Sequence, residues 1–199
     1  MENASITIDE ISALVLCGGE GRRFGGADKP LALFTGDLGS HPMVDYVIHR
    51  LPKVARVFIS ANRNLERYAK RGQGLSDAET GLGEKGPLVG IYGGLAACPT
   101  PWLLVCPGDM PLLPEGWHDH LLTADCAEAG SRVLHDGERL QSLLCLLPTS
   151  LTTALGEYIR TGGKSVKAWH ALHNAAEIRV SESQNAFANI NTKAELNDL

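Results

Sequence analysis

A glycine-rich stretch near the start of the sequence has the composition of a phosphate-binding loop. It covers residues 18–30 (GGEGRRFGGADKP) and carries three cations, Arg22, Arg23 and Lys29. It directly follows the apolar run at residues 11–17 (ISALVLC), which predicts a strand buried on both faces. Glycines let backbone N–H groups converge on an anion, because no Cβ blocks the approach. With the cations, such N–H groups predict a polyphosphate cradle; the alternative is a surface loop with solvated charges.

Two common nucleotide-binding motifs do not account for this stretch. A dinucleotide motif G-x-G-x-x-G starting with Gly19 and Gly21 would require a third glycine where Phe24 stands. Residues 163–165 (GKS) resemble the end of a P-loop, but the leading glycine would fall at Tyr158, inside a helical pattern. A different phosphate-binding design is therefore needed.

An acidic residue follows a second buried strand. Asp109 comes just after the apolar run at residues 102–106 (WLLVC), where a carboxylate seldom serves packing. Beside a polyphosphate it would be repelled unless a cation lay between them, and a Mg²⁺ ion shared with phosphate oxygens removes that repulsion. The alternative is a turn or helix-capping aspartate before Pro111.

The elements that must position these residues alternate along the chain. Apolar and β-branched runs predict strands separated by helical patterns over the first 125 residues, which implies parallel βαβ units. The helical patterns include residues 62–71 and 114–124, and a closing helix is expected near residues 192–199. Asp136-Gly137 lies between two later strand patterns and predicts a hairpin, so the sheet should be mixed. We expect an α/β fold, a three-layer sandwich with a mostly parallel, mixed central sheet. Residues 1–199 should form a single domain, whose N-terminal half binds a nucleotide and whose C-terminal part binds the acceptor.

Composition excludes several other classes of protein. Hydrophobic residues make up 44% and charged residues 21%, as in globular domains. The net charge of −5 argues against a general nucleic-acid or anionic-membrane binder. No secretory signal and no membrane span is predicted, so we expect a soluble cytoplasmic protein.

Cysteine and histidine spacing favours no metal cage. The five cysteines are scattered and never form C-x-x-C, which fits neither a disulfide framework nor a zinc site. The pairs His118/His120 and His170/His173 lack a third ligand nearby, which favours solvated helix surface.

Several motifs together resemble those of sugar-nucleotide-type nucleotidyltransferases, in particular the MobA-type molybdenum cofactor guanylyltransferases. Residues 16–30 (LCGGEGRRFGGADKP) are similar to the signature L-x-G-G-x-x-x-R-M-G-x-D-K, with Cys17 and Phe24 at the usual alanine and methionine positions. Ser142 stands where a proline is expected after Gln141. The resemblance covers nearly the whole chain through further segments in the same order: residues 61–63 (ANR), Asp77, residues 86–90 (GPLVG), 106–111 (CPGDMP), 140–141 (LQ) and 187–196 (FANINTKAEL).

This resemblance implies a Mg²⁺-dependent transfer of GMP from GTP to molybdopterin, which releases pyrophosphate and forms the guanine dinucleotide cofactor. It assigns Lys29 to the nucleotide phosphates and Asp109 to the metal. We place Arg22 and Arg23 at the leaving pyrophosphate, although one of them fits an ordinary surface arginine equally well. Backbone contacts to the nucleotide are implied at Leu16, Cys17, Gly18 and Gly19.

The same resemblance implies the residues that contact the base and the acceptor. Asn62, Asp77 and the backbone at Gly86 and Pro87 would recognise guanine. From the residues alone, Asn62 is equally a turn former and Asp77 a loop residue. Asn189 and Asn191 would help hold the pterin, with turn and helix-cap roles as the alternative.

Two alternative functions remain open at this point. One is a cytidylyltransferase acting on molybdopterin or on a sugar or polyol phosphate. The other is a non-catalytic nucleotide-binding protein of the same fold. For the guanylyltransferase we expect GTP and molybdopterin as small-molecule substrates, a monomer, and at most transient contact with proteins of cofactor biosynthesis or with an acceptor molybdoenzyme.

Overall fold

The computed structural model describes residues 6–18, 28–83, 86–124, 130–180 and 184–187 of the 199-residue chain. The strands are β1 (Ile11–Leu16), β2 (Leu33–Gly36), β3 (Gly39–Pro42), β4 (Val57–Ser60), β5 (Gln73–Leu75), β6 (Trp102–Pro107), β7 (Arg132–His135), β8 (Leu140–Pro148) and β9 (Ala176–Arg179). The α-helices are α1 (Met43–His49), α2 (Leu65–Tyr68), α3 (Pro87–Ala97), α4 (Asp119–Thr123), α5 (Thr152–Arg160) and α6 (Val166–Leu172). Short 3₁₀ helices lie at Ile8–Glu10, Lys29–Leu31, Asp77–Thr80, Thr149–Leu151 and Gln184–Phe187.

Within the described residues, seven strands form one sheet in the order β5-β4-β1-β6-β8-β7-β9. β1 is parallel to both of its neighbours, β4 and β6, and β7 is parallel to β9. β8 is antiparallel to β6 and β7, while β2 and β3 form a separate hairpin. The predicted mostly parallel, mixed sheet is confirmed.

The side chains of β1 show why the sheet needs cover on both faces. Ile11, Ala13 and Val15 are fully buried on one face, against residues of α1 and α4. Leu14 is fully buried on the other face, against residues of α3 and α5. Because both sides of the strand are apolar, its sequence is a continuous hydrophobic run rather than an alternating one. The structure is therefore the predicted three-layer sandwich.

Glycines allow α3 to lie unusually close to the sheet. A Cβ placed on Gly94 would come within 2.7 Å of Cδ2 of Leu14, and a Cβ on Gly90 would overlap the Ser60 hydroxyl. A larger residue would push the helix outward, since packed cores accommodate extra methyl groups poorly. The start of α3 is thereby held near the ends of β1 and β4.

Two predicted helices are shorter in the structure than in the sequence pattern. The helix expected over residues 62–71 is reduced to α2, because Asn64 adopts a left-handed conformation with φ of 54° and delays its start. The helix expected over residues 114–124 is reduced to α4, preceded by Gly116 with φ of 70°. The closing helix expected at residues 192–199 lies outside the described residues. Among those described, every helix is too short or too polar to cross a lipid bilayer.

Candidate active site

Three parallel strands end side by side at one edge of the sheet. Leu16, the last residue of β1, is in register with Ser60 of β4 and with Pro107 of β6. The carboxyl end of adjacent parallel strands is where open α/β sheets bind ligands. The segments that leave these strands contain most of the described residues that the sequence analysis selected.

The two charged residues selected from the sequence meet at this edge. Nζ of Lys29 lies 2.5 Å from Oδ2 of Asp109, although 80 residues separate them in the chain. Their side chains are 17% and 21% exposed, so both groups can still be reached from solvent. A cation and a carboxylate thus lie together beside β1, the strand that precedes the glycine-rich stretch.

The segment carrying Asp109 is pressed against the end of β1. The Gly108 N–H donates to the Leu16 carbonyl at 2.9 Å, and a Cβ on Gly108 would lie 2.6 Å from Sγ of Cys17. Only glycine permits this approach without displacing Cys17. Gly108, which the sequence analysis did not select, therefore sets the distance between Asp109 and β1.

Position 17 offers an anionic ligand neither its thiol nor its backbone N–H. Cys17 is buried, and this burial raises the pKa of its thiol well above the ordinary value, with the charges of Asp28 and Cys106 acting in the same direction. The Cys17 N–H donates to the Ser60 carbonyl at 2.8 Å. Backbone donors for an anion therefore begin at Gly18.

Asn62 and Asp77 form a reciprocal hydrogen-bonded pair. The Asn62 side-chain amide donates to Oδ2 of Asp77 at 2.7 Å, and the Asp77 backbone N–H donates to Oδ1 of Asn62 at 2.8 Å. The Gly86 N–H also donates to Oδ2 of Asp77, at 3.4 Å. Asp77 is only 7% exposed, so its carboxylate is held in one orientation. Its second oxygen, Oδ1, takes part in none of these bonds.

This pair lies next to the glycine-rich stretch and to α3. A Cβ on Gly18 would be 4.0 Å from Nδ2 of Asn62. Gly86 has a φ of 126°, which strongly favours glycine, and Pro87 occupies the first turn of α3, where its missing N–H costs no hydrogen bond. The structure thus brings Gly18, Asn62, Asp77, Gly86 and Pro87 together on one side of β1, and Lys29 and Asp109 also come together at this edge.

Five of the selected residues fall outside the described parts of the chain. The residues concerned are Gly19, Arg22, Arg23, Asn189 and Asn191.

Three further residues beside Lys29 were not selected as site residues from the sequence. The Tyr68 hydroxyl donates to Oδ1 of Asp28 at 2.9 Å, and the Asn64 side-chain amide donates to Oδ2 of Asp28 at 2.9 Å. Within this cluster the sequence marks only Asp28, as the aspartate before Lys29 at the end of the family signature, and no pattern indicates Tyr68 or Asn64 as its partners.

Gln141, selected by resemblance, supports the β7–β8 turn. Its side-chain amide donates to Oδ2 of Asp136 at 2.6 Å. Burial raises the pKa of Asp136, but hydrogen bonds from the Arg139 N–H, the Gln141 side chain and the Glu138 N–H outweigh it, and the net pKa is lowered. Leu134 of β7 pairs with Gln141 of β8, but the adjacent Val133 pairs with Cys145. Residues 142–144 of β8 therefore form a bulge.

The expectation of solvated histidines was wrong for two residues. His170 is 2% exposed and His118 is 9% exposed. Nε2 of His170 lies 2.9 Å from the Ser142 carbonyl, which can only accept, so Nε2 carries the proton and supports the bulge. Burial lowers the pKa of both imidazoles. Among the described residues, no group of three or more His, Cys, Asp or Glu could hold a metal ion.

The sequence matches a known family over most of its length. The profile of the MobA-like NTP transferase domain covers residues 13–177. The chain belongs to the MobA-like NTP transferase family. A molybdenum cofactor guanylyltransferase of Ralstonia nicotianae is 40% identical over 207 aligned residues, 98% of each chain, and that of Cupriavidus necator is 38% identical over 96% of each chain.

Solved structures support the same fold. The solved structure of molybdopterin-guanine dinucleotide biosynthesis protein A from Archaeoglobus fulgidus superposes with a TM-score of 0.75. It is 20% identical, and the match covers 94% of this chain and 95% of the other. The resemblance inferred from motifs is therefore confirmed at the level of family and fold.

Replacing Asn62 with alanine should destabilise the unliganded protein. The Asp77 N–H loses its acceptor and the buried carboxylate loses a donor, so we expect the free energy of unfolding to fall by about 1–3 kcal/mol. Urea denaturation measures this change. Gln73→Ala, at an exposed position on β5, is the control and should stay within about 0.5 kcal/mol of the parent. Equal midpoints for the two variants would contradict a stabilising role for the Asn62–Asp77 pair.

Proposed function

We propose that this chain transfers GMP from GTP to molybdopterin, releasing pyrophosphate and forming the molybdopterin guanine dinucleotide cofactor. The observation that carries the proposal is the contact of Lys29 with Asp109 at the strand edge where the glycine-rich stretch begins. The names of the full-length relatives support the choice of nucleotide and acceptor.

Nucleotidyl transfer joins an acceptor phosphate to the α-phosphorus of the nucleotide. Negative charge has to be held on the acceptor, on the triphosphate and on the departing pyrophosphate, so positioned cations and N–H donors provide most of the catalysis. Lys29 is a cation held at this edge, and Gly18 begins the segment of backbone donors. In the proposal Lys29 binds the triphosphate, and Arg22 and Arg23 serve the leaving pyrophosphate.

Asp109 has the chemistry to hold Mg²⁺ together with the substrate. Magnesium binds proteins through one or two carboxylates and completes its shell with phosphate oxygens and water, so it needs no cage of protein ligands. The partly exposed Asp109 carboxylate fits that pattern. When bound, Mg²⁺ would neutralise phosphate charge and orient the α-phosphorus for attack.

The Asn62–Asp77 pair favours guanine over the other bases. A carboxylate can only accept hydrogen bonds, and guanine presents two adjacent donors, N1–H and the N2 amino group. Cytosine and adenine each present one amino donor beside an acceptor nitrogen, and uracil presents one N–H between two acceptor oxygens, so each would bring an acceptor against the carboxylate. Because Asn62 and Gly86 hold Oδ2 of Asp77, the carboxylate is already oriented before a base arrives.

Acceptor binding is proposed for the C-terminal part of the chain. Asn189 and Asn191 are the residues assigned to the pterin, by resemblance to the family. Among the described residues of that part, the β7–β8 hairpin holds the buried Asp136 carboxylate through a hydrogen bond from the Gln141 side chain.

Replacing Asp109 with alanine should abolish most turnover while the fold survives. Loss of a positioned electrostatic element costs on the order of 100-fold in rate, so we expect at least about a 100-fold fall in pyrophosphate release with GTP, Mg²⁺ and molybdopterin. Circular dichroism checks the fold. Asp9→Ala, at an exposed position, is the control and should retain parental activity. Unchanged turnover in Asp109→Ala would remove Asp109 from the mechanism.

Replacing Lys29 with alanine should weaken GTP binding itself. A charge-assisted hydrogen bond is lost, which corresponds to a rise in Kd of about 10- to 100-fold. Isothermal titration calorimetry with Mg²⁺ and GTP measures it, with Lys53→Ala at an exposed position as the control. GTP affinity equal to that of the control would contradict the phosphate role of Lys29.

A further inference from the structure

A carboxylate next to Lys29 is clamped by two side chains from a distant part of the chain. Each oxygen of Asp28 receives one hydrogen bond of 2.9 Å, Oδ1 from the Tyr68 hydroxyl and Oδ2 from the Asn64 amide. The donors lie 40 and 36 residues further along the sequence. Both are uncharged, so these bonds orient Asp28 without forming an ion pair.

The two donors are themselves fixed in place. Tyr68 is the last residue of α2 and has no exposed surface. Burial, reinforced by the charges of Cys17 and Asp28, raises the pKa of its hydroxyl far above the ordinary value, so Tyr68 remains a donor. Asn64 adopts a left-handed backbone conformation, and its carbonyl accepts the N–H groups of Arg67 and Tyr68, which ties it to the helix.

Asp28 is also the first residue of the turn that carries Lys29. Its carbonyl accepts the Leu31 N–H at 3.0 Å, and the Lys29 carbonyl accepts the Ala32 N–H at 3.0 Å. Pro30 and Leu31 of this turn are buried. The turn is therefore held after Lys29 by core packing and before Lys29 by the Asp28 carboxylate. From this turn the Lys29 ammonium reaches Asp109.

We propose that Asp28 is a positioning residue, whose carboxylate is held by Tyr68 and Asn64 so that the Lys29 ammonium stays at the phosphate side of the site. Asp28 touches no reacting atom in this scheme and acts through Lys29. The effect of Asp28 on the reaction rests on the proposed function, in which Lys29 binds a triphosphate. The placement of Lys29 itself can be measured without any nucleotide.

The chain offers variants that remove each donor with little other change. Tyr68→Phe deletes only the hydroxyl, and Asn64→Gly deletes the amide while glycine readily adopts the left-handed backbone. Each has a matched control elsewhere. Tyr158→Phe removes a hydroxyl that bonds the Ser165 carbonyl at an exposed site, and Asn174→Gly replaces another asparagine with a positive φ of 49°.

The first measurement is the acetylation rate of the Lys29 amine in unliganded protein, followed by peptide mass spectrometry. Loss of a single clamp bond should raise the rate by about 2- to 10-fold, the range that one hydrogen bond supplies. The exposed Lys53 in the same digest is the internal reference and should not change. Parental Lys29 rates in both clamp variants, with the fold intact by circular dichroism, would overturn the proposal.

The second measurement separates positioning from a general loss of structure. We expect Asn64→Gly and Tyr68→Phe to raise the Kd for GTP by about 2- to 10-fold in the parent, and by less than about twofold when Lys29 is already alanine. Equal effects in both backgrounds would show that Asp28 acts independently of Lys29 and would overturn the proposal. If the clamp variants expose Lys29 but the parent binds no GTP, the proposed function fails while the positioning role stands.

Discussion

The contact between Lys29 and Asp109 depends on three features of the fold. Parallel pairing of β1 with β6 brings the end of each strand to the same level of the sheet. Gly108 then allows the following segment to touch Cys17, and the turn at Lys29–Leu31 returns the chain to that point from the other side. Opposite charges placed in this way, with limited exposure, interact more strongly than an ordinary surface pair and are ready for a charged ligand.

On the other side of β1, hydrogen bonds from uncharged donors orient the carboxylates. Among the described residues, the Asp77 carboxylate is oriented by an amide side chain and a backbone N–H. Asp28 is oriented in a related way by an amide and a phenol. Groups held before the ligand arrives need little rearrangement during binding, which is how preorganised sites gain rate and specificity. The charged and uncharged parts of the site thus share one scaffold, the ends of three parallel strands.

The main strands and the two charged residues could be predicted because their signals are local. Continuous apolar runs marked β1 and β6, and the charges that follow them marked Lys29 and Asp109. The roles of Asn62 and Asp77 needed the family resemblance, since a polar residue after a strand is ordinarily a turn former. The clamp on Asp28 could not be foreseen, because its donors are 36 and 40 residues away and one depends on the left-handed backbone of Asn64. The buried His170 likewise contacts the Ser142 carbonyl in the bulge at residues 142–144, and this bulge leaves no mark in the sequence pattern.

Thermal unfolding with Mg²⁺ and each of GTP, CTP, ATP and UTP tests most directly whether this strand edge binds a guanine nucleotide. A nucleotide present at about 100 times its Kd stabilises the folded state by roughly 2.7 kcal/mol, which is visible as a higher midpoint. The oriented Asp77 carboxylate and the Lys29–Asp109 pair predict such a rise for GTP alone. A rise for CTP instead would contradict the guanine assignment, and no rise for any of the four nucleotides would contradict the nucleotide site itself.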